Sequence, residues 1–202
     1  MSRPLQALDA FAVSIDYGRA HTTFEVRADG RRDPVARMHK DGAYDTAHPY
    51  RVSTGPQFAD FAGYVTPFSA MSADGAEIGS VRLRERTLRT DEWTVTQHGL
   101  AVLTGLPKGL NSRLRHGSPL RLIPRQDLAD VLLSVRLSFR AAESPGFELT
   151  RRAGVRAHYG VRIHDPRVDR LLVLACVAHF NTYASVDPRK TVVDTTANPF
   201  KG

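Results

Sequence analysis

Cysteine is nearly absent from this chain, because Cys176 is the only one among 202 residues. A single cysteine cannot form an intramolecular disulfide, which excludes a small disulfide-bonded secreted scaffold. Cys176 lies within the apolar run 171–178, and this setting is typical of a buried side chain rather than of a reactive thiol. The same run is far shorter than the ~20 residues that a membrane-spanning helix needs, so it predicts no transmembrane segment.

A secretory signal and the common catalytic motifs are lacking as well. The stretch Met1–Gln6 has no apolar core, and Asp9 and Asp16 interrupt the next residues of the chain. No Gly-x-Ser-x-Gly elbow, P-loop, Gly-x-Gly-x-x-Gly or HExxH occurs, and the eight histidines show no metal-ligand spacing. We therefore expect a cytoplasmic protein, at most peripheral at a membrane, that is not an enzyme and uses no cofactor or metal. A catalytic triad stays open, because triads are set by geometry.

Acidic residues are fewer than basic residues: the chain has 28 Lys and Arg residues and 21 Asp and Glu residues, which give a formal net charge of +7. Such a balance favours anionic partners, including nucleic acid, phospholipid head groups and acidic proteins. An arginine bias that is spread evenly along a chain also arises from genome composition. The charge alone therefore does not define a binding site.

Residues 165–183 carry the pattern of a single core helix. Asp165 suits the N-cap and Pro166 suits the first helical position. Every residue from 171 to 178 is apolar, and a helix without a polar face must be surrounded by the rest of the protein. The chain is therefore predicted to wrap this helix.

The rest of the chain reads as about ten short strands. Most alternate apolar and polar residues, and turn signals such as Asp29-Gly30 and Asp74-Gly75 separate them. A mainly β (α+β) fold in which an antiparallel sheet closes around the helix satisfies both patterns and leaves no exposed edge. We predict an N-terminal arm with a short amphipathic helix at 1–21, the barrel at 22–183 and an extended tail at 184–202.

The order of several segments carries a family resemblance. Asp74-Gly75-Ala-Glu-Ile-Gly79-Ser-Val-Arg-Leu-Arg84 leads to Trp93-Thr-Val-Thr, and Phe147-Glu-Leu and Tyr159-Gly-Val-Arg-Ile-His-Asp-Pro166 lead into the apolar helix. From Thr22 to Tyr183 the chain resembles the tubby C-terminal-like superfamily, which includes tubby domains, phospholipid scramblases and LURP-one-related proteins. The resemblance implies a closed antiparallel barrel of about twelve strands around a central hydrophobic C-terminal helix.

The resemblance implies less about function. Tubby domains bind phosphoinositides through basic side chains on the barrel wall. No motif in this chain identifies the residues that correspond to them. The cysteine-rich lipidation run and the acidic calcium segment of scramblases are both missing. Residues 184–202 also come after the helix, whereas family members end at or near it.

Arginines are the candidate ligand-binding residues. Arg82, Arg84 and Arg86 alternate along one predicted strand and would present three guanidinium groups on one face, a spacing suited to phosphates or carboxylates. Neighbouring arginines and those of a predicted hairpin complete the candidate set, which adds Arg89, Arg151, Arg152 and Arg156. The other interpretation is a solvated outer wall, balanced by nearby acidic residues. Few aromatic residues interleave with these arginines, which disfavours a single-stranded nucleic-acid platform.

These patterns predict a non-catalytic binding module whose arginine-bearing barrel face meets an anionic, phosphoinositide-like membrane lipid or an acidic partner. The alternative is a structural or assembly protein that contacts other subunits through its N-terminal arm and C-terminal tail. High salt should weaken the first kind of contact far more than the second. Nucleic-acid binding ranks behind both and would show a steep salt dependence.

Overall fold

A closed antiparallel barrel makes up most of the computed structural model, which describes residues 5–18, 20–41, 48–84, 92–108, 134–152 and 157–184. Within these residues, twelve strands follow one another around the ring in the order β1-β12-β11-β10-β9-β8-β7-β6-β5-β4-β3-β2. The predicted closed barrel with a C-terminal helix is confirmed. The strands are β1 (Ala10–Tyr17), β2 (His21–Ala28), β3 (Ala36–Asp41), β4 (Tyr50–Thr54), β5 (Asp60–Val65), β6 (Ser69–Ser72), β7 (Glu77–Arg84), β8 (Glu92–Gln97), β9 (Leu103–Pro107), β10 (Val135–Ala141), β11 (Ser144–Arg151) and β12 (His158–Ile163).

Helix α1 (Arg170–Ala184) lies inside the barrel. Its residues from 171 to 180 are all buried, and inward-facing side chains of the strands pack around them. The ring of Trp93 on β8 lies 5.7 Å from that of Phe180 on the helix, and Phe139 and Phe147 stack at 4.5 Å. Each large apolar side chain buried in this way stabilises the fold by about 1.5–3 kcal/mol relative to exposure. No helix in the described ranges is long and apolar enough to cross a membrane.

Strand β1 closes the barrel and corrects the prediction of an N-terminal arm. Val13 pairs with Val26 of β2 on one side and with Tyr159 of β12 on the other. Before this strand, Leu5–Ala7 form a short 3-10 turn. The apolar spacing at Phe11 and Ile15 fits a helix and a strand equally well, and the β-branched and aromatic residues of this segment favour the strand. The barrel therefore begins well before residue 22.

The helix also starts later than Asp165, where the sequence predicts its cap. Asp169 is the N-cap, because its Oδ1 accepts a hydrogen bond of 2.8 Å from the backbone N–H of Leu171. The carboxylate of Asp165 is engaged in the preceding turn by Ser144 and Arg167. Beyond Ala184, the predicted extended tail lies outside the described residues.

Gln97 joins the helix start to the barrel wall. Its side-chain amide donates a hydrogen bond of 2.8 Å to the carbonyl of Arg167 and accepts one of 2.8 Å from the backbone N–H of Asp169. We expect Gln97→Ala to lower the free energy of unfolding by about 1 kcal/mol, because both backbone groups lose a partner near the surface. Urea unfolding followed by far-UV circular dichroism measures the change, with the exposed neighbour Thr96→Ala as the control. Equal stability of the two variants would contradict this role.

Candidate functional site

Basic side chains surround Glu148 on the outer wall formed by β9 to β12. Oε1 of Glu148 lies 2.6 Å from Nζ of Lys108, 3.8 Å from Nη2 of Arg140 and 3.9 Å from Nε2 of His164. Oε2 accepts a hydrogen bond of 3.0 Å from Nε of Arg136 and a second from Nη2 of the same guanidinium. We call these five residues the Glu148 cluster.

The alternation of β11 places Glu148 on the outside of the barrel. Its neighbours Phe147 and Leu149 are buried in the core, so the side chain between them points outward. In register, Glu148 pairs with Ser138 of β10 and Arg162 of β12. Because the Glu148 side chain points outward, its low exposure results from the basic side chains that cover it.

Exposure differs sharply within the Glu148 cluster. The Glu148 side chain is only 5% exposed, whereas those of Lys108, Arg136 and Arg140 are 48%, 46% and 56% exposed. The Glu148 carboxylate is thus almost completely covered, whereas the lysine and arginine side chains around it remain exposed to solvent. A guanidinium carries five N–H donors in a planar fork, so one guanidinium can contact the carboxylate and a second anion together.

Electrostatics leave the cluster positively charged. Burial alone would raise the pKa of the Glu148 carboxyl, but hydrogen bonds from Lys108 and Arg136, together with their charges, hold that pKa below its usual range. Glu148 is therefore ionised at neutral pH. Three fixed positive charges, those of Lys108, Arg136 and Arg140, then face one negative charge. The surplus attracts anions.

An exposed apolar residue lies beside these charges. Leu106 on β9 is 59% exposed and pairs in register with Ser138, which itself pairs with Glu148 on the same row. Lys108 comes two positions later along the chain. An apolar side chain next to cations suits an anionic membrane surface, where area burial and electrostatic attraction act together.

Two of the predicted arginines lie on the outer face of the barrel beside the β9–β12 wall. Arg82 and Arg84 are exposed on β7. In register, Arg82 pairs with Thr94, Thr94 with Thr104, and Thr104 with Arg140 of the Glu148 cluster. Three strand spacings separate the ends of this row, which corresponds to about 14 Å. Arg82 and Arg84 therefore flank the cluster but do not touch its carboxylate.

Arg151 and Arg152, the other predicted arginines that the structure describes, do not form one patch with them. Arg151 is buried at 5% exposure, because Phe147, Leu149 and Arg151 alternate on the inner face of β11. Arg151, a member of the candidate set, therefore faces the interior of the barrel and not its outer wall. Arg152 is exposed just after β11, four strands from β7, or about 19 Å along the wall. Arg86, Arg89 and Arg156 lie outside the described residues.

Sequence reasoning missed Lys108, Arg136, Arg140, Glu148 and His164. One signal was present: Arg136, Ser138 and Arg140 alternate along β10 as Arg82 and Arg84 do along β7. The convergence on Glu148 was not visible, since it depends on β10 pairing with both β9 and β11.

Two buried titratable groups belong to the core. Burial raises the pKa of the Cys176 thiol, so the thiol stays protonated. Burial lowers the pKa of His179, whose Nδ1 lies 2.7 Å from the carbonyl oxygen of Pro67. Among the described residues, no group of three or more His, Cys, Asp or Glu is placed to hold a metal ion.

No family model, curated protein or solved structure matches this chain. A functional proposal therefore rests on the barrel and on the chemistry of its outer wall.

Proposed function

We propose that this chain is a non-catalytic binding module of tubby-like fold that binds an anionic, phosphoinositide-like membrane lipid head group on the β9–β12 wall. The observation that carries the proposal is the Glu148 cluster, in which three fixed cations are positioned around one ionised carboxylate. A buried anchor of this kind orients the surrounding cations before a ligand arrives, which reduces the entropy lost on binding.

The exposed Leu106 favours a membrane surface over an acidic protein. Cations near an anionic bilayer each contribute about 1 kcal/mol of attraction, and this term decays within a Debye length. An apolar side chain at the same place adds the burial of its area in the interfacial region. Arg82 and Arg84 extend the positive surface from β7 and would meet neighbouring head groups.

The test is vesicle binding by a variant that removes charge without exposing a buried anion. In Lys108→Gln/Arg140→Gln, Arg136 keeps both of its hydrogen bonds to Glu148. We expect affinity for phosphatidylcholine vesicles that contain phosphatidylserine and a phosphoinositide to fall about thirtyfold at low salt, since two cations are removed. Sedimentation of the protein with vesicles measures this, and pure phosphatidylcholine vesicles should bind neither protein.

The matched control is Arg31→Gln/Arg32→Gln, which removes the same charge from exposed residues of the β2–β3 turn. It should bind vesicles as the wild type does, apart from a small general effect of net charge. Equal losses in the two double variants would refute the Glu148 cluster as the defined lipid site. A further variant, Arg82→Gln/Arg84→Gln, is expected to give a smaller loss, because these residues flank the cluster.

A further inference from the structure

A second outer surface, on β3, β4 and β5, combines arginines with aromatic rings. Cζ of Arg37 lies 4.3 Å from the ring centre of Phe58, and Cζ of Arg51 lies 4.3 Å from the ring centre of Phe61. The ring of Phe61 meets that of Tyr64 edge-on at 4.8 Å. We call these five residues the stacking wall.

The stacking wall is continuous and open to solvent. Arg37 pairs in register with Ser53, and Ser53 with Phe61. One row further along, Arg51 pairs with Tyr64. Arg51 is exposed, the Arg37 side chain is 41% exposed, and the three aromatic residues are partly exposed. A guanidinium that covers a ring on one face offers its other face to a further planar group.

A groove of about 590 Å³ adjoins the wall at Phe58. Its other sides are formed by residues 31–35 of the β2–β3 turn and 55–57 before β5, so Arg31 and Arg32 line it. The backbones of Gln57 and Phe58 have positive φ angles of 55° and 57°, a conformation that residues other than glycine seldom adopt. Phe58 lines the groove and its ring lies against the Arg37 guanidinium, so this residue belongs both to the groove and to the stacking wall.

Basic groups outnumber acidic groups around this surface. Arg31, Arg32, Arg37 and Arg51 lie on it, and Asp29, Asp33 and Asp60 are exposed acidic neighbours. Glu25 is engaged by the guanidinium of Arg27 and lies 3.5 Å from Nη2 of Arg37. The surface therefore pairs planar stacking groups with a surplus of positive charge, which is the chemistry that extended nucleic-acid strands require.

We propose that the stacking wall and its groove bind single-stranded nucleic acid. Bases stack on the exposed faces of Arg37, Arg51 and the aromatic rings, and phosphates meet Arg31 and Arg32 in the groove. This proposal is independent of the Glu148 cluster. Strand β4 lies five strands from β11 by the shorter way around the twelve-stranded ring, so the two surfaces face different sides.

The stacking wall differs from the arginines that the sequence singled out. Few aromatic residues interleave with those arginines, and this disfavoured a stacking platform. Arg37 and Arg51 were not among them. They reach Phe58 and Phe61 because β3, β4 and β5 are neighbours in the barrel.

The test compares a labelled oligothymidylate with an abasic oligonucleotide of the same length, which keeps the phosphates and lacks the bases. Fluorescence anisotropy at low salt should show oligothymidylate binding roughly tenfold more tightly. The double variant Arg37→Lys/Arg51→Lys keeps the charge and removes the planar groups, and it should lose most of that difference. Arg162→Lys, at an exposed position of β12, is the matched control and should bind as the wild type does.

Circular dichroism verifies that each variant is folded before binding is measured. Lys108→Gln/Arg140→Gln should retain oligothymidylate binding, because its changes lie on the other surface. The proposal is overturned if the wild type binds neither oligonucleotide, if both bind equally, or if the lysine double variant keeps the preference for bases. It is also overturned if only the change in the Glu148 cluster abolishes binding.

Discussion

Replacing Arg170 with alanine is expected to lower the free energy of unfolding by about 3–5 kcal/mol, because three carbonyl groups, two of them in buried hydrogen bonds, lose a charged donor. The side chain is 1% exposed at the start of the core helix. Its Nε donates to the carbonyl of Leu8 at 3.0 Å, and its Nη1 donates to Pro166 at 2.9 Å and to Val168 at 2.6 Å. One guanidinium thus ties the segment before β1 to the turn before the helix.

Lysine cannot replace this side chain, since an ammonium group lacks the planar fork that reaches carbonyls in several directions. Arg170→Lys should therefore recover only part of the lost stability. Urea unfolding followed by far-UV circular dichroism gives the change as a lower midpoint at unchanged slope. The exposed Arg162→Ala on β12 is the matched control and should stay within about 0.5 kcal/mol of the wild type. A loss below about 1 kcal/mol for Arg170→Ala would show that water replaces the guanidinium without penalty.

The barrel was predictable because two patterns in the sequence, the alternating strands and the unbroken apolar helix, are compatible with few folds. Strands with one apolar face need a core, and the apolar helix at 171–178 needs to be surrounded, so closure around the helix satisfies both. The errors concerned the first strand and the start of the helix. Residues 10–17 fit helical and strand spacing alike, and their assignment depends on pairing with β2 and β12, which no local pattern contains.

The candidate sites were less predictable, because they depend on register across strands. Alternation along one strand predicted the outward direction of Arg82 and Arg84. The same alternation places Arg151 on the inner face with Phe147 and Leu149, because β11 extends to Arg151. The sequence alone did not show that the strand reaches this residue. The basic side chains around Glu148 come from β10 and from the residues that directly follow β9 and β12, and these meet only when the sheet is assembled.

A closed barrel gives both proposed surfaces a rigid support. Outward side chains on neighbouring strands are held about 5 Å apart by the backbone ladder, so the Glu148 cluster and the stacking wall need little rearrangement to bind. The helix inside the barrel packs against the inward-facing side chains of the strands, so the outward-facing side chains are not needed for the core. This separation explains why core variants should change stability, whereas variants of the outer arginines should change binding.

Asp165 is the second residue whose replacement should be costly, and the cost should depend on pH. The Asp165 side chain is 3% exposed. It accepts hydrogen bonds from Oγ of Ser144 at 2.5 Å and from the backbone N–H and guanidinium of Arg167 at 2.8–3.0 Å. The hydrogen bond from Arg167 is the main cause that holds the pKa of Asp165 far below its usual range, against the opposing effect of burial. Asp165→Asn should lower the free energy of unfolding by about 2–3 kcal/mol at neutral pH.

The lowered pKa fixes the sign of the pH dependence. In the unfolded chain Asp165 titrates near its usual value of about 3.9, so the folded state gains from the ionised carboxylate at every pH above that value. As the pH falls below it, the unfolded state takes up the proton first and the advantage is lost. The difference in free energy of unfolding between the wild type and Asp165→Asn should therefore be constant from about pH 7 to 5 and shrink towards about pH 3. Asp29→Asn, in an exposed turn, controls for the loss of one surface charge, and a difference that stayed constant down to about pH 3 would rule out the ionised carboxylate as its source.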